Sequence, residues 1–501
     1  MTPRRTTEGQ AIFTAGIVVL GCLIGLLAVS NDSYWIDESS TVHKAIMPTL
    51  AGWWERLRGE ATSNMQLPLY LLYAWGWDKV FGHHEWVLRA ANVPWFVLGV
   101  VALGWTAGTR PSRTLMTLSA MLSAFAWFYL NEARPYAMQF GAACVVFAAL
   151  VRLARAEPGA AEARTWAWVL ASSAVVLAAS GMLAMIWLAG GLMAGFLARP
   201  WTETRRLLVD HRGAWTAMLF LLLMVGVYYL WTMTLGARAT VIARTDLRSV
   251  FLTAYEMLGL TGLGPGRLAI RNEGLVAFKP YVGALAVYAG LVVVAGVAGW
   301  RRVRAESSRR ALAWTILGSG GVLAFLLAVG LTSRFRVLGR HCMPLLPPVL
   351  YVLGLGLTAA WRRRGWLGKA SVTAFALMSL ASCLMLRFDA RHAKDDYRGA
   401  AVVAQQALQK GERVWWNADE QSALIYGVPM VSGRDVPGSM VLIEPPAPGF
   451  ESGLTLPDLV ILSKPDVYDG NGRLQGFLSR EGYHKTGSLV AFTLWRRRPE
   501  P

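Results

Sequence analysis

Asp37 and Glu38 stand side by side in Ser33-Tyr-Trp-Ile-Asp-Glu-Ser-Ser-Thr-Val-His-Lys44, almost directly after an N-terminal apolar run long enough to cross a bilayer. Adjacent carboxylates beside lipid can take a proton from a reacting group, or they are only the solvated start of a loop. Two other ionisable clusters occupy similar positions at the ends of apolar runs. One is Asn131-Glu-Ala-Arg-Pro-Tyr136, the other Arg334, Arg336, Arg340 and His341. Glu132 and Arg134 could pair with each other or with lipid headgroups, and Arg340-His341 could anchor a helix end. His83-His84-Glu85 resembles a metal cluster superficially, but adjacent histidines chelate poorly and no further ligands follow at a metal-site spacing. Gly262-Leu-Gly-Pro-Gly266 lacks the preceding strand and following helix of a phosphate loop and reads as a turn.

What must position these residues is set by composition. Of 501 residues, 54% are apolar, 11% aromatic and only 16% charged, and charge-poor runs repeatedly reach transmembrane length. The chain is a polytopic α-helical membrane protein. Its formal net charge of +18 is not spread over a folded face as in a nucleic-acid binder; it lies in short clusters between apolar runs. Nucleic acid is therefore not an expected partner. Cys22, Cys144, Cys342 and Cys383 all fall within or at the ends of apolar runs and read as small core residues, without disulfide or zinc spacing.

Candidate spans fall at about 11–29, 87–108, 114–130, 134–152, 165–180, 182–198, 214–234, 281–300, 311–331, 342–360 and 367–386. Every second connection is basic, including Arg110/Arg113, Arg152/Arg155/Arg164, Arg199–Arg212, Arg301–Arg310 and Arg362–Lys369. Placing these in the cytoplasm leaves 30–86, 131–133, 235–280, 332–341 and everything after 387 outside. The arginines around 334–340 break that rule. Residues 67–81 are short for a span and are assigned to the outer surface with Ile46–Arg58, where Leu50, Trp53, Trp54 and Leu57 would enter the interface. The first span is read as retained, although Ala28-Val29-Ser30 would pass as a signal-peptidase site. The expected domains are thus 1–386, transmembrane, with an external loop 30–86 carrying interfacial helices, and 387–501, a small extracytoplasmic α/β domain. In the latter Asp396 caps a helix, and Arg413–Trp416, Leu459–Leu462 and Ser488–Trp495 read as strands.

The ionisable residues sit at span ends on one face, while the span interiors carry almost none. That argues against an ion-coupled transporter. Four stretches, Trp35-Ile-Asp-Glu38, Gln66-Leu-Pro-Leu-Tyr-Leu-Leu72 with Phe81-Gly and Glu85-Trp-Val-Leu-Arg89, Glu132-Ala-Arg-Pro-Tyr-Ala137, and Gly339-Arg-His-Cys-Met-Pro-Leu-Leu-Pro347, resemble the integral-membrane glycosyltransferases of the GT-C fold. The resemblance covers the membrane part through about residue 360. It is closest to the lipopolysaccharide-core sugar transferase-like family, with aminoarabinose transferases and protein O-mannosyltransferases more distant. Relatives commonly have His-Pro-Pro where this chain has Gln66-Leu67-Pro68. Glutamine does not titrate near neutrality, which weakens the case for an obligatory divalent cation; no other cofactor is expected.

The resemblance implies a donor sugar on polyprenyl phosphate and a glycan, lipid or protein acceptor, with membrane lipid around the spans. An acceptor hydroxyl must lose its proton as it attacks the anomeric carbon, and Asp37 is the candidate base. Glu38, about 100° round a helix, would orient the acceptor or pair with Arg89 or Arg134. Arg340, with Arg134 as second choice, would hold the phosphate. Gln66, Arg89, Glu132, Tyr136 and His341 are expected to position donor or acceptor. A glycan polymerase, ligase or lipid-linked-sugar flippase could share the many spans and outward arginines, but a flippase should carry ionisable residues within them.

Overall fold

The computed structural model describes residues 3–157, 160–236, 244–305, 310–333, 335–363, 365–443 and 446–497. Arg309, Arg334 and Arg364, counted above among the loop charges, lie outside the described residues. The chain forms two compact units. The first comprises Met1–Ser30, Pro48–Gly82 and Val87–His392, the second Asn31–Met47, His83–Trp86 and Ala393–Pro501. Residues 31–47 and 83–86 thus belong to the same body as the tail.

The first unit is helical. Among the described residues, eight helical segments are long and apolar enough to cross a membrane: Gln10–Ala28, Glu85–Trp105, Tyr136–Leu153, Arg212–Thr234, Arg267–Ala305, Leu312–Thr332, Gly339–Trp361 and Trp366–Phe388. Met182–Leu197 would make a ninth, and it turns by 119° into Trp201–Asp210. Pro200 stands at the corner, where it cannot continue the helix. The expected span 114–130 is two helices, Arg110–Met121 and Ala124–Leu130. Ser123 separates them, its hydroxyl accepting from the Ala126 amide at 3.3 Å as an N-cap.

Residues 68–81 form a 14-residue helix, Pro68–Phe81. At 1.5 Å per residue it is about 21 Å long, short of a hydrocarbon core of about 30 Å. Helix Leu50–Glu60 also forms as an amphipathic element, but Trp53 and Leu57, expected to enter the interface, are buried in protein. Leu50 is exposed, and Trp54 stacks on Trp231 with ring centroids 5.8 Å apart.

The second unit contains a six-stranded sheet of order β2-β3-β1-β4-β6-β5, where β1 is Val414–Asn417, β2 Met430–Ser432, β3 Met440–Leu442, β4 Leu459–Ser463, β5 Tyr483–Leu489 and β6 Phe492–Arg497. Strands β1–β4 pair in parallel and β6 runs antiparallel to both β4 and β5. Successive side chains of a strand face opposite sides. Trp416 accordingly packs with Tyr397 and Phe492 under helix Tyr397–Gln409, while Trp415 stacks on Phe477. The Asp396 cap forms, accepting from the Gly399 amide at 2.8 Å. Ser488–Trp495 is not one strand. It is the corner of the β5–β6 hairpin, turned at Ala491 with φ 66°. No glycine or proline marks that corner, so the run of β-forming residues reads as continuous.

Candidate functional site

The candidate residues fall in both units. In the first, the Asn131–Tyr136 turn joins helices Ala124–Leu130 and Tyr136–Leu153. The Ser30 amide donates to Asn131 Oδ1 at 2.7 Å, and the fully buried Arg89 donates to the Ser30 carbonyl at 3.0 Å. Arg89 thereby fixes the point from which the chain leaves its first helix. Arg134, also buried, donates to Asn64 Oδ1 at 3.0 Å. Asn64 and the buried Gln66 share the 3-10 turn Ser63–Gln66, so Arg134 is built into the same framework as Gln66.

Glu132 is buried, and Arg267 Nη1 lies 4.0 Å from its Oε1. The Arg267 guanidinium also covers the Phe128 ring, 4.0 Å from its centroid, a cation–π contact. Tyr136 packs edge-on against Tyr129 at 4.9 Å. Tyr129 in turn donates its hydroxyl proton to Glu256 Oε2 at 3.3 Å. Glu256 retains some exposed surface, yet protein atoms crowd its carboxyl. Burial raises its pKa above the ordinary carboxylate value, against the opposing pull of Arg267, the Tyr129 hydrogen bond and Arg340.

The Gly339-Arg340-His341 motif opens the 3-10 helix Gly339–Leu345. A Cβ on Gly339 would overlap the Glu256 carboxyl, so the missing side chain makes room for this approach. Arg340 follows and shares the electrostatic environment of Glu256 and Tyr129. His341 accepts from the Leu338 amide through Nδ1 at 3.2 Å and stacks on Phe335, while its carbonyl accepts from Trp187 Nε1 at 2.7 Å. Arg336 donates to Ser249 Oγ at 3.3 Å. Its charge helps hold the Asp246 carboxyl below the usual range, after the larger effect of hydrogen bonds from Ser249. The arginines of this loop therefore do different work.

In the second unit, Ile36–Ala45 is a helix with Asp37 and Glu38 in its first turn, where negative charge is favoured by the helix dipole. Asp37 is partly exposed; Glu38 is fully buried and accepts from Lys394 Nζ at 3.0 Å. The same helix is tied to the tail twice more. Ser422 Oγ donates to Ser39 Oγ at 2.8 Å, and His43 Nε2 lies 2.9 Å from the Gln421 carbonyl. Just before it, the Tyr34 amide donates to Tyr426 Oη at 2.7 Å, and Ser33 Oγ donates to the Asp395 carbonyl at 2.6 Å. Glu85 accepts from Arg398 and from Tyr426, each at 3.0 Å. It belongs to this framework.

Arg267, Glu256 and Lys394 were not among the expected site residues. Arg267 had a usable signal: it directly follows Gly262-Leu-Gly-Pro-Gly266, in a loop that the charge pattern assigns to the same side as the Arg340 loop. The glycine run packs as a 3-10 turn, and a short helix, Arg267–Glu273, does follow it. A Cβ on Gly266 would overlap the Arg391 carbonyl, which explains the glycine immediately before Arg267. For a divalent cation the donor set is poor, since no group of three or more His, Cys, Asp or Glu side chains comes together among the described residues.

No protein-family profile and no curated protein matches this chain. Among solved structures, ArnT from Cupriavidus metallidurans in the apo state matches over 99% of this chain and 100% of its own, at 13% identity and a TM-score of 0.56. The same protein bound to undecaprenyl phosphate matches over 98% and 99%, at 14% identity and a TM-score of 0.49. The first of these matches, with the apolar helices and the small C-terminal sheet domain, defines the GT-C fold for this multi-pass membrane protein.

Proposed function

We propose that the chain is an inverting glycosyltransferase that moves a sugar from a polyprenyl-phosphate donor to a lipid, glycan or protein acceptor at the outer face of the cytoplasmic membrane. The observation that carries this reading is the cluster of Arg340 and Arg267 with Glu256, Tyr129 and Glu132, two guanidinium groups brought together within a GT-C fold. Guanidinium forks match phosphate oxygens, and fixed positive charge stabilises a phosphate leaving group. In this reading Arg340 is the principal phosphate ligand, joined by Arg267. Arg134, the second choice by sequence, supports the Gln66 turn from its bond to Asn64.

Asp37 is the proposed base. Its carboxylate takes the acceptor hydroxyl proton as the oxygen attacks the anomeric carbon; the bond from that carbon to the phosphate oxygen breaks on the opposite side. Polyprenyl phosphate departs with both electrons of that bond, so its negative charge increases, and the anomeric configuration inverts. Partial exposure leaves Asp37 able to meet a substrate, whereas Glu38 is buried on Lys394. Comparative mass spectrometry of envelope lipids and glycans from cells with and without the protein tests the reading. A single missing sugar is expected. An unchanged glycan inventory, together with no transfer by the purified protein from polyprenyl-phosphate sugars, would overturn it.

A further inference from the structure

Glu256 is a carboxyl group that the proposed transfer step does not use. It lies near the end of helix Leu247–Met257. Its Oε2 accepts from Tyr129 at 3.3 Å and occupies the space where a Gly339 Cβ would stand. The titratable and charged groups around it come from each element packed there: Tyr129 from Ala124–Leu130, Arg267 from Arg267–Glu273, Arg340 and Cys342 from Gly339–Leu345, and Tyr255 from its own helix. A glutamine here would serve as a plain hydrogen-bond partner. A carboxylate adds a charge that both arginines feel.

We propose that Glu256 is a proton-linked counter-ion, holding Arg267 and Arg340 in place while the site is empty and taking up a proton when a phosphodiester anion docks against them. The proposal rests on the reading that Arg340 receives the donor phosphate. Its physics is competition. Burial favours the neutral carboxyl, and the two guanidinium groups oppose that preference. An anion that engages the same guanidinium groups cancels the opposition and adds like charge beside the carboxylate. Both effects favour the proton. The Tyr129 hydroxyl can donate to a carboxylate or accept from a carboxylic acid, so the contact survives in either state. Affinity then rises as pH falls, by at most about tenfold per pH unit for one linked proton.

The test is calorimetric titration of the detergent-solubilised full chain near neutral pH, in two buffers of different protonation enthalpy. The probe is a short-chain prenyl methyl phosphodiester, whose own charge does not titrate in that range. Wild type is expected to bind with net uptake of up to one proton, and Glu256→Gln to bind without uptake and without the pH dependence. Binding of wild type without uptake, or uptake retained in Glu256→Gln, overturns the proposal and leaves the donor reading standing. Absence of binding by wild type overturns both. Should the variant fail to fold, infrared difference spectra of wild type labelled with 13C-glutamate decide the matter. An isotope-shifted protonated-carboxyl band must appear on binding, and its absence overturns the proposal.

Discussion

Lys394 donates to Glu38 across 3.0 Å, joining a helix near the start of the chain to a segment 356 residues later. Glu38 is completely buried and the Lys394 side chain nearly so. The pair fixes the helix that carries Asp37 against the tail, and that gives the α/β domain a role in orienting the proposed base. Lys394→Met should therefore lower stability by about 3–5 kcal/mol, the usual cost of breaking a buried ion pair, and lower turnover with it. The double variant Glu38→Gln/Lys394→Met should recover part of both, because neither residue is then left charged beside a neutralised partner. Thermal unfolding in detergent and a transfer assay read the two effects; unchanged values for Lys394→Met would remove the tail from this role.

Asp37→Asn keeps the shape of the side chain and removes the base. Sugar transfer should be abolished while expression and membrane insertion remain intact, measured with purified donor lipid. Glu38→Gln should be less damaging, since its proposed work is orientation. A reversed order of severity would move the assignment of base to Glu38.

Arg340→Lys keeps the charge and loses the fork. Turnover should fall strongly with a smaller loss of donor binding, while Arg340→Ala should lose both. A reconstituted assay in which Arg340→Ala retains donor affinity and turnover would leave the phosphate to Arg267 or Arg134.

His392 introduces an acid sensitivity. Burial, and then the charge of Arg391, push its pKa down from 6.5 to about 4, and its Nε2 accepts from Arg391 Nε at 3.1 Å. Because the folded-state pKa is depressed, the stability that this group contributes is present above 6.5 and is lost as pH falls toward about 4. His392→Gln should flatten the unfolding midpoint across that window relative to wild type, and an unaltered pH profile would discount the group.

Topology is open to direct labelling. Glu157 and Ser452 are both exposed loop sites. A cysteine at 157 should be shielded from an impermeant thiol reagent in intact cells, and one at 452 should label. Labelling at 157 would mean that Pro68–Phe81 crosses the membrane and that the face proposed for Glu132 is reversed.

The sequence by itself determined the class of this protein, because transmembrane length and charge-poor runs are local properties that a bilayer enforces directly. The Asp396 cap and strands β1 and β4 were legible for the same reason: their signals lie within a few consecutive residues. The tertiary structure decided the partners. Lys394 reaches Glu38 from the tail, a partner that was not among the expectations for Glu38, which were to orient the acceptor or to pair with Arg89 or Arg134; no local periodicity encodes a contact 356 residues apart. Arg267 and Glu256 gain their meaning only because separate helices bring them to Arg340, and Gly339 only because the Glu256 carboxyl fills the place of its missing Cβ. Burial and charge at such a point are sums over several distant segments, and only the folded chain performs that sum.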